Sequence, residues 1–220
     1  MEECVIVPAY NAEKTIWAVA NEALASGLPV AVIDDGSRDA TVNRLQNLPL
    51  TIIRHQNNRG KGAALKSGFS WARQAGFKGI VTIDADGQHD VAAIPLLLAA
   101  AKSTGTDILI ASRTAQFEQM AGLRKLWNHF GVWCLKRRTG LEISDSQSGF
   151  RYYSSRFLQG LEMVSDGYDL EMELLMKAWR GGFRIDCLPV AARVADGRST
   201  SHFRPVCDTW NICMTFLRFF

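Results

Sequence analysis

Val81-Thr82-Ile83-Asp84-Ala85-Asp86-Gly87-Gln88-His89-Asp90 is the stretch that decides how the chain reads. The apolar run 79–83 has the length of a buried strand and stops abruptly at two aspartates one residue apart. Side chains alternate along an extended chain, so Asp84 and Asp86 are expected on one side of the strand's end. Carboxylates this close repel unless a cation or hydrogen-bond donors offset them. One solution is a hard divalent ion, because magnesium needs only one or two protein carboxylates when phosphates and waters complete its octahedron. The other is a plain turn, since aspartate and glycine are common after strands.

The same grammar recurs on both sides of this segment. Runs 5–8, 30–33, 50–54 and 107–111 also read as short buried strands. Helical patterns separate them at 11–25, from about Ala40 (with Ser37 or Asp39 as cap), at 60–75 and at 94–102. Alternating strands and helices predict an α/β fold, a mostly parallel sheet flanked by helices on both faces. Right-handed crossovers gather the C-terminal strand ends at one edge, where ligands of such sheets bind. Tyr10-Asn11, Asp34-Asp35, Asp84 with Asp86, and Ser112-Arg113 all follow strands and should converge there.

The second half reads differently. Residues 120–136 are amphipathic, with Leu123, Leu126, Trp127, Phe130, Trp133 and Cys134 at helical spacing. Arg124, Lys125, Lys136, Arg137 and Arg138 lie among and just after them. A strand is expected at 149–153, a helix at 169–180 and a late strand at 183–190. Residues 210–220 are apolar, with only Arg218 charged.

A length of 220 residues suits a single domain. We divide it into a ligand-binding half (1–115), an acceptor half (116–205) and an apolar C-terminal segment (206–220). A net charge of +3 gives no case for nucleic acid. The five cysteines are odd in number and show no zinc spacing, which fits reduced thiols in a cytoplasmic protein. The start, Met1-Glu2-Glu3, does not resemble a secretory signal, and no uncharged stretch reaches the roughly 18–20 residues of a membrane span.

Two further segments carry chemistry. In 32–41, Asp34 and Asp35 suit acceptance of hydrogen bonds from a base or ribose, or a helix cap. In 57–68, a glycine-rich basic helix start around Lys61 suits phosphate, or a tight turn with close packing. The spacing GxxxxGK(S/T) is absent, and PAYN after the first strand lacks GxGxxG, which argues against P-loop and dinucleotide enzymes.

Taken in order, VIVPAYNAEKTI, VIDDGSRDAT, NRGKGAAL, DADGQHD, ASRT and DSQSGFRYYS resemble family-2 glycosyltransferases of the GT-A fold, nearest to the dolichol- or polyprenol-phosphate mannose synthase type. The resemblance implies a nucleotide-sugar site at Pro8, Tyr10, Asn11, Glu13, Asp35, Lys61, Asp84, Ala85, Arg113 and Arg151. The family's glutamate directly follows PxYN, whereas here Ala12 intervenes before Glu13. It further implies Mg2+ or Mn2+ held by Asp86, with Gln88 and His202 as additional ligands; His202 suits equally a hydrogen-bonded loop position.

The implied reaction is transfer of a sugar, with inversion, from a UDP- or GDP-sugar to a lipid-linked or small-molecule acceptor in cell-envelope biosynthesis. An alcohol acceptor needs a general base. Asp169, Asp145 and Glu171 are the candidates, Asp169 first because YDLE aligns with an acidic motif near the acceptor. A phosphate monoester, with a second pKa near 6, needs none. The basic amphipathic stretch and the apolar end suit peripheral contact with the inner face of the membrane. They suit equally core packing and a homodimer contact. A sugar-phosphate nucleotidyltransferase, or a non-catalytic nucleotide-sugar-binding module, is the competing expectation.

Overall fold

The computed structural model describes residues 2–113, 135–137, 139–191 and 205–219. Seven strands form one sheet: β1 (Glu3–Ala9), β2 (Val30–Asp34), β3 (Thr51–Arg54), β4 (Gly79–Thr82), β5 (Ile108–Ser112), β6 (Arg151–Ser154) and β7 (Ile185–Pro189). The spatial order is β3-β2-β1-β4-β6-β5-β7. Every pairing is parallel except those of β6, which runs antiparallel between β4 and β5. The expected mostly parallel α/β sheet is the one observed. The antiparallel insertion of β6 brings the segment 145–150 up beside the end of β4.

The helices are α1 (Ile16–Leu24), α2 (Lys61–Gln74), α3 (Ile94–Thr104), the single turn α4 (Ser155–Leu158), α5 (Leu170–Arg180) and α6 (Pro205–Arg218). Both faces of the sheet are covered, which is why the central strands β1 and β2 carry unbroken apolar runs at 4–9 and 30–33. Val5, Val7, Val30, Val32 and Val81 pack against Ile16, Val19, Ala20 and Ala23 of α1 and Ile94 and Leu97 of α3. On the other face Ile6, Ile33, Ile80 and Ile110 pack against Leu65 and Phe69 of α2 and Leu174 and Leu175 of α5. Ile212 and Phe216 of α6 add to that second face.

Two expected elements change. The helix from Ala40 is only a 3-10 turn, Asn43–Leu45. The residues expected to cap it bond to another loop instead, where Ser37, Thr41 and Asp39 accept the backbone amides of Asn11, Ala12 and Glu13. Glu13 reciprocates by accepting the Ala40 amide. With Asn11 at a positive φ of 47° and those amides bonded outward, α1 starts only at Ile16. The amphipathic stretch 120–136 lies almost wholly outside the described residues, as do Arg124, Lys125, Arg138 and His202. The apolar C-terminal segment is helical as α6. No helix among the described residues is long and apolar enough to cross a membrane.

The glycines before and inside α2 serve close packing. A Cβ on Gly62 would lie 2.7 Å from the Asp166 carbonyl carbon and 2.8 Å from the Gly167 carbonyl oxygen. The Ala63 amide donates to that Asp166 carbonyl. Alanine is favoured over glycine inside a helix by about 1 kcal/mol. Packing outweighs that preference here, so Gly62→Ala should lower stability by about 1–3 kcal/mol. A fall in the urea midpoint at unchanged m-value checks it; a rise would show that the loop yields freely.

Candidate functional site

The end of β4 sets the site. The Ile83 amide makes the last bond to β1, at the Ile6 carbonyl. The chain then turns, with Gly87 at a φ of 73°. The Thr15 hydroxyl before α1 donates to the Ala85 carbonyl at 2.6 Å, and Asp86 accepts the Gln88 amide at 3.0 Å. Gly149 stands directly against the Asp84 carboxylate, and a Cβ there would collide with it. The Thr82 hydroxyl anchors Gly149 through its carbonyl at 3.0 Å.

Lys61, at the start of α2, reaches into this rim. Its Nζ lies 2.7 Å from Asp84 Oδ1 and 3.2 Å from both carboxylate oxygens of Glu171 on α5. It also sits 5.5 Å from the Tyr168 ring centre. The buried His89 ring holds Nε2 3.8 Å from Asp84 Oδ2, beyond hydrogen-bond range. Among the described residues neither His89 nitrogen has a hydrogen-bond partner, and the ring packs edge-on against Phe150.

The two aspartates are electrostatically unequal. Burial alone would raise the Asp84 pKa, but the Lys61 ammonium and then His89 outweigh it and hold the carboxyl well below the usual range. For Asp86 burial, and then the Asp84 charge, push the carboxyl up. A divalent cation at Asp86 would offset that crowding, so the residues fit one. Among the described residues no group of three or more His, Cys, Asp or Glu side chains is set to hold a metal. Two carboxylates completed by phosphate oxygens match magnesium or manganese chemistry better than a protein-only cage.

Arg113, just past β5, faces the same rim. Its Nε donates to Asp145 Oδ2 at 2.9 Å, and burial, which would lower its pKa, is outweighed by Asp145 and then by Asp84 and Asp86. Asp145 is wholly buried, and Arg113 holds its carboxyl below the usual range against the opposing effect of burial. Asp169 precedes α5 and accepts the Thr215 hydroxyl of α6 at 2.9 Å. It makes no side-chain cap bond to its own helix.

Several expected site residues hold neighbouring backbone. Arg151 is fully buried and donates to the carbonyls of Ser148, Glu171 and Ser146. It ties the backbone of 146–148 to that of Glu171. Asp35 is 2% exposed; its carboxylate accepts the amides of Arg59 and Gly60 and faces His55 Nδ1 at 2.7 Å. It therefore braces the start of α2, and the amides of Arg59, Gly60 and Ala63 have acceptors within the protein. Asn11 and Glu13 interlock the first two strand-end loops, through the Arg38 and Ala40 amides. Pro8 is buried in β1, and Tyr10 is half-buried just after it. Sequence reasoning missed Gly149, His89 and Thr15 as shapers of the rim. All three lie within the quoted motifs, and that membership is the one signal the sequence held for them.

The family described as Glycosyl transferase family 2 matches residues 4–161, the stretch that carries the interlocked loops, the acidic rim and Arg151. The chain belongs to glycosyltransferase family 2. The transferase is 28% identical over 204 residues to the undecaprenyl-phosphate mannosyltransferase of Micrococcus luteus, covering 86% of this chain and 83% of that protein. It is 28% identical over 209 residues to the UDP-N-acetylglucosamine–dolichyl-phosphate N-acetylglucosaminyltransferase of Methanococcus voltae, covering 84% and 83%. Its fold matches glucosyl-3-phosphoglycerate synthase from Mycobacterium tuberculosis, solved with Mn2+, UDP-glucose and phosphoglyceric acid. That match has a TM-score of 0.77 and 20% identity, over 99% of this chain and 79% of that one. The expected GT-A fold is thus shown.

Two outcomes follow for the transferase. Arg151→Leu leaves three buried carbonyls without their donor and should cost about 3–5 kcal/mol, read by urea unfolding. Asp145, depressed in the folded state, contributes stability that is full above its unfolded pKa of about 3.9 and is lost as pH falls through the folded value. Asp145→Asn should therefore weaken the transferase at pH 7 and flatten the acid limb of its pH–stability curve below about pH 4. An unchanged acid limb would dissociate Asp145 from it.

Proposed function

We propose that this family-2 transferase moves a sugar from a nucleoside diphosphate donor onto the phosphate of a polyprenyl- or dolichyl-type lipid monophosphate. One observation carries the choice of acceptor: the three candidate bases already have partners. Asp145 is paired with Arg113, Glu171 with Lys61, and Asp169 with the Thr215 hydroxyl. An alcohol acceptor needs a base to take its proton, whereas a phosphate monoester, with its second pKa near 6, attacks as it stands. The two relatives named above act, by their names, on undecaprenyl and dolichyl phosphate, which supports the same class here.

In this reading the donor lies along the C-terminal ends of β1, β4 and β5. Asp86, beside Gln88, would hold Mg2+ or Mn2+, which when bound neutralises charge on the diphosphate. Arg113, pre-oriented by Asp145, faces the leaving diphosphate and stabilises charge as the glycosidic bond breaks. Gly149 and Thr15 keep the acidic loop in place. The acceptor phosphate approaches from the side of α5 and inverts the anomeric centre. A lipid acceptor brings the protein to a membrane surface as a peripheral partner. PAYN in place of a GxGxR loop, together with the family match, favours sugar transfer over nucleotidyl transfer.

The test is a panel of UDP- and GDP-sugars offered with a polyprenyl phosphate, the corresponding polyprenol and a glycolipid, with Mg2+, Mn2+ or EDTA. Product should form on the phosphate and depend on the cation. With that acceptor, Asp169→Asn should keep turnover within about threefold; product on the polyprenol instead, lost 10²–10⁴-fold in Asp169→Asn, would identify a general base and an alcohol acceptor.

A further inference from the structure

Lys61 stands where its two carboxylate partners come from different halves of the chain. Asp84 follows strand β4 of the donor half, and Glu171 lies in the first turn of α5 in the acceptor half. Nζ is 2.7 Å from the first and 3.2 Å from the second. The ion group is largely buried: the side chains of Lys61, Asp84 and Glu171 are 11%, 22% and 7% exposed. Neither partner is free to drift. Gly149 blocks one side of the Asp84 carboxylate, and Arg151 holds the Glu171 backbone through its carbonyl at 3.1 Å. The close contact of Gly60 and Gly62 with Asp166 and Gly167 fixes the lysine's own backbone against the loop before α5.

Charge counting shows what this arrangement does. Among the described residues, Lys61 sets one positive charge against the Asp84 and Glu171 carboxylates, and Arg113 and Asp145 form a neutral pair beside them. A dication arriving alone at Asp86 meets an ammonium already in contact with the neighbouring Asp84. An ammonium and a metal ion at adjacent carboxylates repel at short range in a partly desolvated site.

We propose that Lys61 is a built-in counter-ion of Asp84: in the donor-free protein it holds this carboxylate and keeps divalent cations off the rim, and Glu171 retains it when the cation arrives with the nucleotide diphosphate. Glu171 is then a positioning residue that acts through Lys61, and the acceptor half tunes donor loading without touching the donor. The diphosphate's own negative charges supply what the competing lysine takes away, so cation and nucleotide enter together. This inference rests on Asp86 as the ligand of the cation.

The test uses Mn2+ titration of the whole protein without any sugar, followed by loss of the free-ion EPR signal. Wild-type protein should bind Mn2+ weakly by itself and at least about tenfold more tightly with UDP or GDP present. Lys61→Met should tighten binding of Mn2+ alone by at least about tenfold, and Lys61→Arg, which keeps the charge, should not. Thermal melting followed by circular dichroism verifies that each variant is folded. If Lys61→Met does not fold, the wild-type comparison decides: equal Mn2+ affinity with and without nucleotide overturns the inference. A folded Lys61→Met that binds Mn2+ no better than wild type also overturns it. Asp86→Asn separates the two levels. If Mn2+ still binds with nucleotide in Asp86→Asn, the assignment of the cation to Asp86 falls and this inference with it. If binding is lost there while Lys61→Met matches wild type, only the counter-ion role of Lys61 falls.

Discussion

Carboxylates brought together at the edge of a sheet repel, and the rest of the structure is arranged around containing that repulsion. Lys61 meets Asp84 and Glu171 at hydrogen-bonding distance, and Arg113 meets Asp145 a short way along the same rim. Isolated charges with this degree of burial would shift their pKa and neutralise. Here the cations arrive from separate elements, the start of α2 and the end of β5, so the rim exists only when the sheet is assembled. The same pairing sorts the two aspartates of one motif into different roles. Asp84 is held ionised by Lys61, and Asp86 is left crowded by burial and by its neighbour.

Much of the polar sequence near the strand ends supports loops rather than ligands. Ser37, Asp39 and Thr41 receive the amides after β1, and Asp35 receives those before α2. Arg151 is the clearest case: its guanidinium is fully buried and donates to three backbone carbonyls. Buried amides and carbonyls must find partners, and short polar side chains after strands are the nearest supply. Such residues sit one step behind the chemistry and hold the groups that face the rim.

The fold was largely legible beforehand because its signals are local. Buried strands such as 30–33 and 79–83 are unbroken apolar runs, and the helices between them carry the 3.6-residue period over several turns. The failure at Ala40 has a physical cause. Ser, Asp and Thr look alike whether they cap a helix or accept amides from a loop 26–29 residues away, and only the partner's position tells the two apart. Lys61 meets Asp84 and Glu171, which its sequence neighbourhood does not announce, since a lysine beside glycines suits phosphate as well as it suits carboxylates.

By itself the sequence determined the parallel-sheet architecture, the acidic turn after β4 and the family resemblance, because each rests on residues close together in the chain. Tertiary structure alone decided which side chains share the rim. Asp84 meets Lys61 across 23 residues and Glu171 joins them from 110 residues beyond Lys61, through the antiparallel insertion of β6 and the packing of the loop before α5 onto α2. Electrostatic pairing depends on distance in space, and nothing in local composition encodes that distance.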